Sequence, residues 1–200
     1  MEHLFNKGVN PRKPTLLLLH GTGGNEFDLL PFARKVDDEA SVLSVRGNVL
    51  ENGMPRFFKR LSEGVFDEED LIYRTKELHQ FLNEESVTYN FDRKQVYAIG
   101  YSNGANIAAS LLFHEPNSLK GAILHHPMVP RRGIRLPDLT NVHVFIGAGT
   151  NDPLCPPEET EDLFVLLTNA NANVHLHWED QGHQLSNEEI KAARKWYMSL

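Results

Sequence analysis

Apolar residues along this chain fall into short continuous runs, separated by amphipathic stretches with a period near 3.6. That alternation predicts an α/β protein. The runs Thr15–Leu19, Ser41–Val45, Gln95–Gly100, Gly121–Leu124, Val142–Ile146 and Val174–Trp178 read as strands. Several are apolar almost throughout, as strands buried on both faces of a parallel sheet should be. Between them, Asp70 to Glu85 sets Leu71, Leu78, Phe81 and Leu82 on one side of a helix, with charges opposite. Glu158 to Ala170 repeats the pattern with Leu163, Phe164, Leu166 and Leu167. A last helix starts at Ser186, where Glu189 three positions on completes a capping box. The predicted architecture is one domain over residues 1–200, a mostly parallel sheet with helices on both faces. Six strands and their helices leave no room for a large cap.

One stretch keeps neither period. "GNVLENGMPRFFKRLSEGVFD", residues 47–67, reads as an irregular loop of about twenty residues, a length that usually carries function. Its Met54, Phe57, Phe58 and Phe66, with Met128 from "HHPMVP", are expected to wall an apolar substrate pocket.

Composition narrows the function classes. The formal charge of −7 and the scattered Lys and Arg exclude a nucleic-acid or anionic-membrane surface. The longest strongly apolar run, "LLLL" at 16–19, is far too short to span a membrane, and "MEHLFNKG" lacks the features of a signal peptide. The single cysteine, Cys155, excludes an internal disulfide framework and suits a reducing compartment. A soluble cytoplasmic protein is expected.

The chemistry concentrates in "AIGYSNGANIAAS", residues 98–110. A strand that runs directly into a helix at the carboxyl edge of a parallel sheet must turn sharply. Small residues are then needed two positions to either side of the apex, where side chains would collide with strand and helix. Gly100 and Gly104 meet that need and leave Ser102 exposed, the pattern of a nucleophile elbow. A serine needs a base, and the base an orienting carboxylate. In folds of this kind they follow in the order Ser, acid, His. Asp152 lies just beyond the fifth predicted strand in "GTNDPLCP", and His183 lies beyond the last in "DQGHQL".

The competitors fit less well. His125 and His126 precede Asp152 and are expected to line or pack near the site. His175 and His177 alternate on one strand, but no further metal ligands cluster near them. His20 is expected to shape the turn after the first strand. Asp180 is the rival acid, though it shares a short loop with His183. For a tetrahedral intermediate the oxyanion donors would be the amides of Asn103 and Thr22, the latter in the Gly-rich "HGTGG". Cys155, three residues from Asp152, would make activity redox-sensitive if its pKa were lowered.

With "LLLLHGTGG", "GYSNGANIAAS", "GTNDPLCP" and "DQGHQL" in this order, the chain resembles the α/β-hydrolase superfamily. It is most similar to the small cap-less phospholipase/carboxylesterase family that includes the acyl-protein thioesterases. The resemblance runs from about Thr15 onward. It implies Ser102 as nucleophile, Asp152 as acid and His183 as base, with the oxyanion held by Thr22 and Asn103. The elbow departs from the thioesterases at Asn103, where theirs contains glutamine. With "FKRLSEGVFDEEDL" it is similar to a bacterial carboxylesterase branch, some of whose members carry a hydroquinone-dioxygenase label. The expected activity is hydrolysis of small or short-chain carboxylic esters through an acyl-enzyme. The alternatives are a cofactor-free hydroquinone or catechol oxygenase, or a small-molecule sensor on the same fold. No cofactor or metal is expected. The expected partner is a small-molecule ester, with no nucleic acid and no stable membrane association; a homodimer stays open.

Overall fold

A computed structural model describes residues 1–200. In chain order the elements are β1 (His3–Asn6), β2 (Thr15–Leu19), α1 (Leu30–Val36) and β3 (Ser41–Val45). Two short hairpins follow, β4 (Val49–Glu51) with β5 (Met54–Arg56), and β6 (Arg60–Ser62) with β7 (Val65–Phe66). Then come α2 (Glu68–Thr88), β8 (Val96–Tyr101), α3 (Asn103–His114) and β9 (Gly121–His125). The rest is β10 (His143–Gly149), α4 (Pro157–Asn169), β11 (Asn173–Glu179) and α5 (Asn187–Tyr197).

Seven strands form one sheet in the order β1-β3-β2-β8-β9-β10-β11. All neighbours pair in parallel except the edge strand β1, which runs antiparallel to β3. Alternation of side chains along the strands divides the core between the two faces. Leu17, Leu19, Leu43 and Ala98 pack with side chains of α2, α3 and α4, whereas Leu16, Leu18, Val42 and Ile99 pack with those of α1 and α5. Every residue of α3 from Asn103 to Phe113 is buried. A helix buried on all sides cannot shift without repacking its neighbours, so it fixes its own first turn.

Residues 47–67 are not irregular. Asn52 and Gly53 both take positive φ, 52° and 81°, and close the first hairpin, the Asn-Gly pairing that two-residue turns favour. These hairpins lie over the carboxyl ends of β2 and β8. There the strand order reverses, because the chain reaches β8 only by crossing back over β2. Open parallel sheets bind ligands at such a switch point.

Candidate active site

Five chemistry-bearing residues emerge at this edge, each just past a different strand: Thr22 after β2, Ser102 after β8, His126 after β9, Asp152 after β10 and His183 after β11. Ser102 has φ 51° and ψ −114°, a left-handed backbone that a non-glycine residue adopts only under constraint. The constraint is visible. Ser102 N–H donates to His125 O at 2.9 Å, while Ser102 O accepts from Asn106 N–H at 2.9 Å. A methyl group at Gly104 would overlap the Leu19 carbonyl, and one at Gly100 would press on the Gly104 carbonyl.

His183 Nε2 lies 2.9 Å from Ser102 Oγ, and His183 Nδ1 lies 2.7 Å from Asp152 Oδ2. Because an ionised carboxylate only accepts, Nδ1 carries the proton and Nε2 accepts from the serine hydroxyl. Asp152 Oδ1 accepts from the amides of Leu154 (2.8 Å) and Cys155 (3.0 Å). Burial pushes the Asp152 carboxyl up, but the His183 bond and these two amides outweigh it and hold the group below its ordinary range. Asp180 forms no hydrogen bond with His183, whose Nδ1 is taken by Asp152; Thr150 Oγ1 donates to the Asp180 carboxylate at 3.4 Å. Tyr101 O–H donates to His183 O at 2.7 Å and ties the histidine loop to the end of β8.

Behind Asp152 stands a second imidazole. His126 Nδ1 lies 3.0 Å from Asp152 Oδ2, and His126 Nε2 lies 3.1 Å from Glu189 Oε2. Both acceptors are carboxylates, so both nitrogens donate and His126 is an imidazolium. Burial alone would lower its pKa, but Glu189 and then Asp152 overcome that and raise it. Glu189 is fully buried and also bonds His125 Nδ1. Burial would push its carboxyl up; the bonds to His125 and His126 pull it down to about 2. Its helix cap is therefore half of a capping box. Ser186 Oγ accepts from Glu189 N–H at 3.0 Å, but the carboxylate turns into the core toward the two histidines, where Gly147 leaves it room.

The amides of Thr22 and Asn103 have no partner within the protein. Both residues line a cavity of about 300 Å³ with Ser102, His183, Phe66 and Met128. The other expected pocket residues lie elsewhere. Phe57 and Phe58 are fully buried: Phe57 packs on His20 with centroids 4.8 Å apart, and Phe58 meets Phe66 edge-on at 5.0 Å. They follow β5 and fill the core beneath the hairpins, where Phe57 N–H is held by Asn103 Oδ1 at 2.7 Å. Met54 is 40% exposed and covers Gly23 from outside the cavity. The wall is also more polar than expected, with Arg56, Arg60 and Asn106 in it. His20 fixes the first turn as its position suggested. Its Nδ1 faces Gly21 O at 2.6 Å, and its Nε2 accepts from Gly47 N–H at 3.0 Å. His175 and His177 stack on Phe145, with centroids 5.5 and 5.9 Å apart.

Cys155 does not meet the condition for redox sensitivity. It is buried, its S–H donates to Pro127 O, and burial pushes the thiol up to about 12. Thiolate is the oxidisable form, so peroxide at neutral pH is expected to leave activity intact. Activity assays before and after peroxide treatment check this, and inactivation that Cys155→Ser prevents would overturn it.

A doubly wound parallel sheet with a strained serine elbow at its switch point is an α/β-hydrolase fold. The chain belongs to the phospholipase/carboxylesterase family, whose model matches residues 5–199, and it is a hydrolase. It is 60% identical over 197 residues to MhqD of Bacillus subtilis (strain 168), a protein named as a hydrolase, covering 98% of each chain. The crystal structure of the Bacillus cereus carboxylesterase is 68% identical, with a TM-score of 0.99 over 100% of this chain and 94% of that one. A structure of YahD with malic acid is 30% identical, with a TM-score of 0.94 over 99% and 98% of the two chains.

Sequence reasoning missed Arg56, Tyr101 and the buried role of Glu189. Arg56 stood in a segment read for its apolar residues, and Glu189 had already been explained as a cap. The available signal was "HH" directly after a buried strand, since two adjacent histidines at a core edge need acidic partners.

Proposed function

We propose that the protein is a serine carboxylesterase acting on small esters through an acyl-enzyme. One observation carries the reading: the unbroken sequence Ser102–His183–Asp152 opens on the same cavity as the two unpartnered amides of Thr22 and Asn103. As Ser102 Oγ attacks the ester carbonyl, His183 Nε2 takes its proton, and Asp152 stabilises the imidazolium. The carbonyl oxygen becomes an oxyanion held by the two amides, already in place and needing no reorganisation. On collapse of the tetrahedral intermediate, the leaving alcohol takes the proton from His183. Water then attacks the acyl-enzyme by the same route and releases the acid and free Ser102.

A cavity of about 300 Å³ stands at the lower end of ligand pockets, which supports small substrates. A second cavity of about 440 Å³, lined by Leu29, Phe32 and Leu185, shares Thr22 and Tyr101 with the first. The two halves of an ester can therefore be divided between them. The test is hydrolysis of p-nitrophenyl esters from acetate to long acyl chains, together with labelling by a fluorophosphonate. Activity greatest on short chains and stoichiometric labelling at Ser102 are expected. Absence of both would overturn the reading, and oxygen uptake with a hydroquinone would then replace it.

A further inference from the structure

Arg56 is only 3% exposed, yet it borders the cavity that holds Ser102. Its Nε donates to Phe58 O at 3.2 Å, and its Nη1 donates to Thr22 Oγ1 at 2.7 Å. The guanidinium carbon lies 5.8 Å from the centre of the Phe58 ring, so that aromatic face forms the floor under the charge. Three sides of the guanidinium are thus fixed, while Nη2 has no protein partner. Asn103 is also in the wall, but its side-chain amide nitrogen is closed off. Its Oδ1 accepts from Phe57 N–H at 2.7 Å, and its buried Nδ2 has no partner.

The surrounding charges do not neutralise Arg56. Glu51 is the nearest carboxylate, with Oε2 3.5 Å from Arg56 Nη1, but its Oε1 accepts from Arg60 Nε at 2.9 Å. One carboxylate is thereby shared between two guanidiniums. Glu63, the remaining acid in the wall, is exposed on the β6–β7 hairpin. Arg56 Nη2 is not among the closed-off polar atoms, so this edge of the guanidinium opens on the cavity, where a ligand's oxygens can replace water as its acceptor. A wall built for a plain aliphatic ester would need no such group.

We propose that the substrate is an ester bearing a second, ionised carboxylate, and that Arg56 binds that carboxylate beside the oxyanion site. This rests on the esterase reading of Ser102 for turnover, though not for binding. The open Nη2 can give a carboxylate a charge-assisted hydrogen bond, stronger than one to a neutral acceptor. The bond also makes Arg56 a specificity residue, since an ester lacking the charge would leave Nη2 unpaired in the complex.

Two matched pairs of esters test this by pH-stat titration. Monomethyl glutarate against methyl pentanoate places the charge on the acyl half; acetoxyacetate against propyl acetate places it on the alcohol half. In at least one pair the charged ester should have the higher kcat/KM by about tenfold or more, the least that a charge-assisted hydrogen bond provides. That ratio should fall to near one in Arg56→Met. Ratios near or below one in both pairs, or a ratio that survives Arg56→Met, would overturn the proposal. Binding is read separately by calorimetry on Ser102→Ala. Glutarate should titrate and glutaramide should not, and equal behaviour of the two overturns the proposal even if Arg56→Met fails to fold. Failure to hydrolyse any ester, charged or neutral, would count against the esterase instead, and the glutarate result would stand apart from it.

Discussion

Ser102→Ala is expected to lower kcat on a short-chain p-nitrophenyl ester by about 10⁶-fold, with little change in stability. The size follows from the geometry: with His183 Nε2 at 2.9 Å from the hydroxyl and Asp152 at 2.7 Å from the other nitrogen, the three act as one unit. Removing the nucleophile forfeits the whole covalent route. What remains is binding and the oxyanion amides, worth about 10³–10⁴ over water. Asp152→Asn should cost about 10⁴, because an amide can donate to Nδ1 and stabilise the wrong tautomer. The double variant Ser102→Ala/His183→Ala should be scarcely worse than either single one. Steady-state kinetics on purified variants check all three. A loss of less than tenfold in Ser102→Ala would remove Ser102 from the mechanism.

The second large effect is on stability. Glu189→Gln should destabilise the fold by about 3–5 kcal/mol, because it leaves the buried His126 imidazolium without one of its two carboxylates. For a chain of this length that corresponds to a fall in Tm of roughly 6–20 °C. The loss should depend on pH in a defined way. Glu189 titrates at about 2 in the fold against 4.5 ordinarily, so its contribution is complete above about 4.5 and drains away as pH falls toward 2. His126 is shifted the other way, above 6.5; its contribution is complete below 6.5 and drains as pH rises through the folded value. The gap between native and variant Tm should therefore be widest from about pH 4.5 to 6.5. Scanning calorimetry across that range decides it, and a difference under about 2 °C at pH 6 would mean the pair contributes little.

The features that a linear pattern can carry were readable. Thr15–Leu19 and its parallel partners announce themselves because strands buried on both faces need no polar positions. The elbow is readable because a steric demand at two fixed offsets admits only small residues. The order Ser102, Asp152, His183 corresponds to three side chains that meet in space. What stayed hidden depends on direction and partnership. β1, an edge strand of four residues paired with β3 along one side, shows too little alternation to stand out. α1 is a seven-residue helix with proline in its first turn, too short for its period to emerge. Phe57 and Phe58 look like pocket walls until the segment after β5 packs both into the core, against His20 and Phe66. Glu189 looks like a cap because its second role depends on histidines more than sixty positions earlier.

The order in which these parts leave the ribosome gives the strained elbow a further meaning. Ser102 and its acid loop are synthesised before β11, His183 and α5. A nascent chain that has completed only β10 can hold a serine with no base, and an aspartate with no imidazole from the final loop. The Ser102–His183–Asp152 arrangement is therefore incomplete until β11 has joined the sheet and the loop after it has brought His183 to Ser102. The last stretch of the chain thus carries both the imidazole that faces Ser102 and, on α5, the carboxylate that faces His126.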